Sequence, residues 1–178
     1  SDIKNLQILN KLDDYFYKNI FFLKKSEINK IVSNYNIIEE YNVKKIYPTT
    51  LDINIKPAKI IAKISGDNQL VVGSNGKLII SNVRYETLPF IFGKFKKKEF
   101  LIFKKKIEQS KFNFKDLKSI FFYPSGRWDI VTLENVLIKL PKNELLRSLK
   151  LAYKVTSNDK FKDNKVIDLR VFNNLVVQ

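Results

Sequence analysis

The sequence predicts an α+β protein with a small helix-helix-strand-strand domain over residues 1–64 and a mixed, mainly antiparallel β-domain with flanking helices over residues 65–178. Three observations predict this class. Apolar residues recur every three or four positions up to Tyr35 and every second position from Ile37, which marks a change from helix to strand. Asn75-Gly76 lies between two apolar runs, a strong signal for a β-hairpin. The apolar fraction of 44% is sufficient for a buried core.

The first domain is expected to contain two helices and two strands. Ser1 is placed to cap the first helix and Ser26 the second. The first strand runs from Ile37 to the turn at Tyr47-Pro48, and in the second Leu51, Ile53 and Ile55 alternate with polar residues. The buried stripes of the two helices are Ile3, Leu6, Leu9, Leu12 and Phe16, then Ile28, Ile31, Val32 and Tyr35.

The second domain is expected to be mainly strands. Two helices are predicted, at 96–110 and 143–155, and the stretch 84–95 shows no regular period. The predicted strands are 60–64, 69–72, 78–80, 117–123, 127–133 and 136–140, followed by two strand-like stretches within 165–178.

The composition argues against an enzyme, a metal site and a bound cofactor. The chain has no Cys and no His, so it lacks a thiolate nucleophile, a histidine base and the usual zinc and copper ligands. The acidic pairs Asp13-Asp14 and Glu39-Glu40 diverge on a helix or a strand, and five glycines form no phosphate-binding loop. The chain also lacks Met, so we expect it to begin after an upstream segment.

The net charge of +15 leaves a nucleic-acid-binding alternative open. Lysine runs at 96–98 and 104–106 interleave with phenylalanines, as in some single-strand binders. However, nearly all the cations are lysines, whereas phosphate and guanine recognition favours arginine. Lys, Asn and Ile are enriched together, which codon bias in an AT-rich genome produces. We therefore predict a solvated lysine face and no nucleic-acid partner.

The strand near the C-terminus is the best candidate for a partner-binding surface. Alternation places Ile167, Leu169 and Val171 on its buried face, and Asp168, Arg170 and Phe172 on the other. An outward Phe beside an Arg is typical of an interface. A last strand is also often an edge strand, open to strand addition.

Arg127 and Trp128 form a second candidate. Their two functional interpretations are a stacked cation–aromatic pair or an interface anchor. The alternative is that Trp128 is a strand residue that closes the core.

Six segments in order resemble the FtsQ/DivIB family of cell-division proteins. The first two are Asn19-Ile-Phe-Phe-Leu and Val43-Lys-Lys-Ile-Tyr-Pro-Thr-Thr-Leu-Asp-Ile-Asn-Ile-Lys-Pro-Ala-Lys. The others are Leu70-Val-Val-Gly-Ser-Asn-Gly-Lys-Leu-Ile, Leu88-Pro, Gly126-Arg-Trp-Asp-Ile and Val166-Ile-Asp-Leu-Arg. The order and spacing of these segments hold over nearly all of the chain.

The resemblance implies a non-enzymatic divisome scaffold in septum formation. It implies a POTRA-like domain at 1–64 that lacks its first strand and binds other divisome proteins, and a β-domain at 65–178 that binds FtsB- and FtsL-like partners. The contact strand would carry Asp168 to Phe172. The resemblance also implies a single-pass protein of the bacterial inner membrane, anchored by an upstream helix, with this region in the periplasm. A POTRA-type module of outer-membrane assembly or secretion is the alternative.

Overall fold

The computed structural model describes residues 15, 18–67, 69–158, 165–171 and 176–177. The chain divides into two compact units, residues 1–59 and 60–178. The border lies before the predicted one because the strand Ile60–Ile64 pairs with strands of the second unit. Apart from Tyr15, the first predicted helix lies outside the described residues.

In the first unit, one helix packs on a two-stranded antiparallel sheet. Helix α1 spans Lys25–Ser33, and strands β1 and β2 span Ile38–Ile46 and Thr50–Pro57. Ser26 is not the cap, because α1 begins one residue earlier, after Lys24. Alternation on β1 and the helical stripe on α1 meet in one small core. Its buried members are Leu23, Ile28, Val32, Ile38 and Val43.

The second unit is built on a nine-stranded sheet with the order β11-β10-β9-β8-β7-β6-β3-β4-β5. Most neighbouring strands are antiparallel, and β3–β6, β6–β7 and β9–β10 are parallel. The predicted α+β class, with a mainly antiparallel sheet, is therefore confirmed. The strands are β3 Ile60–Ile64, β4 Leu70–Gly73, β5 Leu78–Ile80, β6 Phe90–Phe92, β7 Leu117–Phe122, β8 Trp128–Thr132, β9 Leu137–Lys139, β10 Val166–Asp168 and β11 Val176–Val177.

Two helices cover one face of this sheet. Helices α2 (Lys97–Gln109) and α3 (Leu145–Thr156) pack together, and a short 3₁₀ turn at Phe114–Asp116 precedes β7. Their apolar stripes bury a row of isoleucines that are register partners on five adjacent strands. That row is Ile91, Ile120, Ile130, Ile138 and Ile167, each at most 1% exposed. None of the helices in the described ranges is long and apolar enough to cross a bilayer.

Strand β6 was missed by the sequence reading, which left 84–95 irregular. It has only three residues, between Pro89 and Gly93, so it is too short to show a period. Gly93 has φ +94°, and a Cβ there would collide with the carbonyl oxygen of Phe122. Only glycine fits where these two backbone segments, after β6 and at the end of β7, approach so closely.

Candidate functional site

A row of charged residues crosses the sheet on the face opposite the isoleucines. Successive residues of a strand point to opposite faces, so the register that aligns the isoleucines also aligns their neighbours. Asp129 on β8 is the partner of Lys139 on β9, which is the partner of Asp168 on β10. We call Asp129, Lys139 and Asp168 the charged row. Opposite charges on neighbouring strands stabilise the pairing.

Asp129 is a buried carboxylate with two sources of compensation. It is 2% exposed, and its Oδ1 accepts a hydrogen bond from the Leu140 backbone N–H at 3.0 Å. Arg127 lies two residues earlier, on the same face, and its Nη2 donates to Oδ2 at 3.4 Å. The Arg127 Nε lies 3.2 Å from Oδ1. The Arg127 guanidinium also lies over the Tyr123 ring, 4.4 Å from its centroid. Arg127 is therefore held between a carboxylate and an aromatic face.

Asp168 and Arg170 form the second pair, nearer the edge of the sheet. The Arg170 Nε lies 2.9 Å from Asp168 Oδ1 and 3.0 Å from Oδ2, and the Arg170 backbone N–H donates to Oδ1 at 3.1 Å. The hydrogen bond from the Arg170 side chain lowers the pKa of Asp168, and the charges of Arg170 and Lys139 lower it further. The same hydrogen bond, followed by the Asp168 charge, raises the pKa of Arg170.

The two arginine-aspartate pairs are close enough to interact electrostatically. After Asp168, the charge of Asp129 also raises the pKa of Arg170. The Arg170 side chain is 42% exposed, whereas that of Arg127 is 25% exposed. A fixed guanidinium with N–H groups open to solvent is suited to recognising a carboxylate. Within the described ranges, no group of three or more acidic side chains could hold a metal ion.

Trp128 belongs to the core. It is 4% exposed, and its ring stacks on Phe103 with the centroids 4.4 Å apart. Alternation explains this, because the neighbours of Arg127 and Asp129 on β8 must point to the helix-covered face. Of the two readings that the sequence left open, the structure favours the tryptophan that closes the core, and not a surface anchor.

The end of the predicted contact strand differs from the expectation. Ile167 and Leu169 are buried as predicted, but Val171 is 60% exposed. The Leu169 N–H still donates across to Lys139 O at 2.9 Å. The next N–H, that of Arg170, donates to the Asp168 side chain instead, and the ladder ends there. Phe172 lies outside the described residues.

The strand β10 is also not the outermost strand. Val176–Val177, which form β11, pair with Asp168 and Ile167. The expected edge position therefore belongs to β11, and β10 lies one strand inside it. Strand β11 is at the edge because it pairs antiparallel with β10 on the side opposite β9.

The sequence reading missed Tyr123, Asp129 and Lys139 as members of the site. Asp129 had a usable signal, because alternation places it on the same face as Arg127. Lys139 had none, since its position between Asp129 and Asp168 depends on the register of three strands.

The chain was compared with models of protein families. The family described as cell division protein FtsQ/DivIB, C-terminal, matches residues 61–170. This span begins within β3, contains the whole charged row and ends at Arg170. No curated protein matches the chain.

Proposed function

The chain belongs to the FtsQ/DivIB family and acts in cell division, and we propose that it does so as a non-enzymatic scaffold that binds FtsB- and FtsL-like partners. In this proposal it links early and late division proteins at the forming septum. The observation that carries the proposal is the position of Arg170. It is half-exposed, held by Asp168, and lies directly after β10, next to the edge strand of the nine-stranded sheet and at the end of the family match.

The two arginines would receive an acidic segment of the partner. Asp168 and Asp129 fix the guanidinium groups, so less side-chain entropy is lost when a carboxylate binds. Exposed Val171 would contribute apolar contact, together with Phe172 as the sequence predicts.

The first unit and the cellular location complete the proposal. Members of this family are typically anchored in the membrane with their folded domains in the periplasm, and we propose the same for this chain, by a single helix upstream of it. We propose the first unit as a POTRA-like domain for other divisome proteins. The order of α1, β1 and β2 supports this, because it matches the second helix and both strands expected for such a unit.

The test is to measure the affinity of the FtsB-like partner for Arg170→Glu. Reversing a charge that is desolvated in an interface is expected to weaken binding by about thirtyfold or more. The matched control is Arg84→Glu, since Arg84 is an exposed arginine in the 81–89 loop. Phe172→Ala should also weaken binding. If Arg170→Glu binds as tightly as Arg84→Glu, the proposed surface is wrong.

A further inference from the structure

Two adjacent phenylalanines project from a turn in the first unit. Phe21 is 63% exposed and Phe22 is 83% exposed. The turn is fixed by Asn19, whose side-chain Oδ1 accepts from the Phe21 N–H and whose carbonyl accepts from the Phe22 N–H, both at 3.0 Å. Exposing two large apolar side chains to water is unfavourable. Such a pair indicates a surface that contacts a partner when the protein functions.

A third exposed aromatic lies against this turn. The Tyr47 ring stacks on Phe21 with the centroids 4.9 Å apart, and Tyr47 is 58% exposed. The stack holds Phe21 in place without burying it. The three rings therefore form a convex aromatic tip at Phe21, Phe22 and Tyr47.

The aromatic tip is surrounded by positive charge. The segment from Lys18 to Lys25 contains three lysines and no Asp or Glu, and all three lysines are exposed. On the neighbouring strand, Lys44 and Lys45 directly precede Ile46 and Tyr47. Exposed aromatics flanked by lysines are the pattern of segments that enter the interfacial layer of a bilayer, where the rings lie at headgroup depth and the ammonium groups meet anionic lipid.

We propose that the aromatic tip docks onto an anionic lipid surface, with Phe21 and Phe22 inserted between headgroups and the lysines at 18, 24 and 25 bound to lipid phosphates. The composition of the site favours a membrane over a protein partner. Protein interfaces are enriched in aromatic residues but depleted in lysine, whereas the segment from Lys18 to Lys25 combines exposed aromatics with three lysines. The proposal goes beyond partner binding by the second unit and does not depend on it.

The experiment is vesicle co-sedimentation of the 178-residue chain. The vesicles contain either equal parts phosphatidylglycerol and phosphatidylethanolamine, or phosphatidylcholine alone. The chain carries +15 overall, so the decisive variants leave the charge unchanged. The double variant Phe21→Ser/Phe22→Ser should lower the partition coefficient on the anionic vesicles by at least about tenfold. Its control is Ile102→Ser, because Ile102 is 51% exposed on the lysine-rich helix α2.

Two further variants test charge and depth. Lys24→Gln/Lys25→Gln should weaken binding by about tenfold or more, since each lysine near an anionic surface contributes about fivefold. The matched control is Lys97→Gln/Lys98→Gln, which removes the same charge from exposed residues of α2. Phe22→Trp should show a blue shift on binding, and brominated lipid should quench it. The wild-type protein gives the background emission, because its one tryptophan, Trp128, is buried and should not contact lipid.

The outcomes separate the proposal from its alternatives. Selective loss in the two tip variants, with both α2 controls binding as wild type, supports it. The proposal is overturned if Phe21→Ser/Phe22→Ser binds like wild type, or if phosphatidylcholine vesicles bind equally well. A protein partner at the tip would leave the Phe22→Trp emission unchanged by vesicles, which also overturns it. Phe22→Ser alone keeps the test valid if the Phe21-Tyr47 stack is needed for folding.

Discussion

The pairs Arg127-Asp129 and Arg170-Asp168 share their chemistry and differ in burial. In each, an arginine and an aspartate lie two residues apart, and the aspartates occupy the two ends of the charged row. The Asp129 side chain is 2% exposed and that of Asp168 is 18% exposed. The arginines follow the same order, at 25% and 42%.

This difference predicts that the inner pair contributes more to stability than the outer pair. A buried carboxylate must keep its compensation, because an unpaired charge in a low-dielectric interior costs several kcal/mol. A half-exposed pair can exchange its partner, since water compensates either group when it is released. The inner pair is therefore expected to stabilise the sheet more than the outer pair does, and the outer pair to exchange its partner more easily.

The largest expected effect comes from breaking the inner pair. Arg127→Met should destabilise the second unit by about 3 kcal/mol, because it removes the guanidinium that compensates the buried Asp129 carboxylate, although Oδ1 keeps the Leu140 N–H. Urea unfolding followed by the fluorescence of Trp128, the one tryptophan in the sequence, measures this unit.

The control for this prediction is the double variant Arg127→Met/Asp129→Asn. It removes both charges, and the Asn oxygen still accepts from Leu140 N–H. It should therefore be more stable than Arg127→Met alone. A double variant that is less stable than either single variant would contradict a charge-compensation role for Arg127.

Breaking the outer pair should have a smaller effect on stability. Arg170→Ala leaves Asp168 partly in solvent, so its urea midpoint should fall clearly less than that of Arg127→Met. The same variant should lose partner binding. If Arg170→Ala unfolds as readily as Arg127→Met, the distinction between the two pairs is wrong.

The outer pair should also contribute a small pH dependence. The folded pKa of Asp168 lies below its ordinary value of 3.8, so the pair's stabilisation is fully present above that value and is lost as the pH falls through the folded pKa. The stability difference between wild type and Asp168→Asn should therefore shrink between about pH 6 and about pH 2.5. In the Arg170→Ala background this change should be clearly smaller, because the hydrogen bond from the Arg170 side chain is the largest cause of the lowered pKa.

The smallest effect is expected at a fully exposed pair. Lys56 Nζ lies 3.1 Å from Glu40 Oε2 across β1 and β2, with side-chain exposures of 62% and 68%. The Glu40 hydrogen bond and charge raise the pKa of Lys56, but water and salt screen the interaction. Lys56→Gln should leave the melting temperature of the first unit unchanged within error. A clear loss that persists in high salt would show that exposure does not rank these pairs.

Much of the second unit could be predicted because its elements are amphipathic. Helix α2 was expected at 96–110 and spans Lys97–Gln109, and its buried Phe100, Phe103 and Ile107 recur at spacings of three and four residues. The hairpin at Asn75-Gly76 joins β4 and β5 as expected. Strand β6 could not be predicted, since three residues carry no period and its place at the centre comes from parallel neighbours distant in the sequence.

The sequence by itself determined the α+β class and the helices of the second unit, because these follow from local periodicity. It also identified the arginines at 127 and 170 as candidate site residues, from residue type and position. Only the tertiary structure decided that Trp128 is in the core, that Val171 points to solvent and that β11 lies outside β10. It also decided which charges meet. Asp129, Lys139 and Asp168 are separated by ten and twenty-nine residues, and only the register of three strands brings them into one row. Register is set by the burial of the isoleucines on the other face, a long-range condition that no local pattern contains.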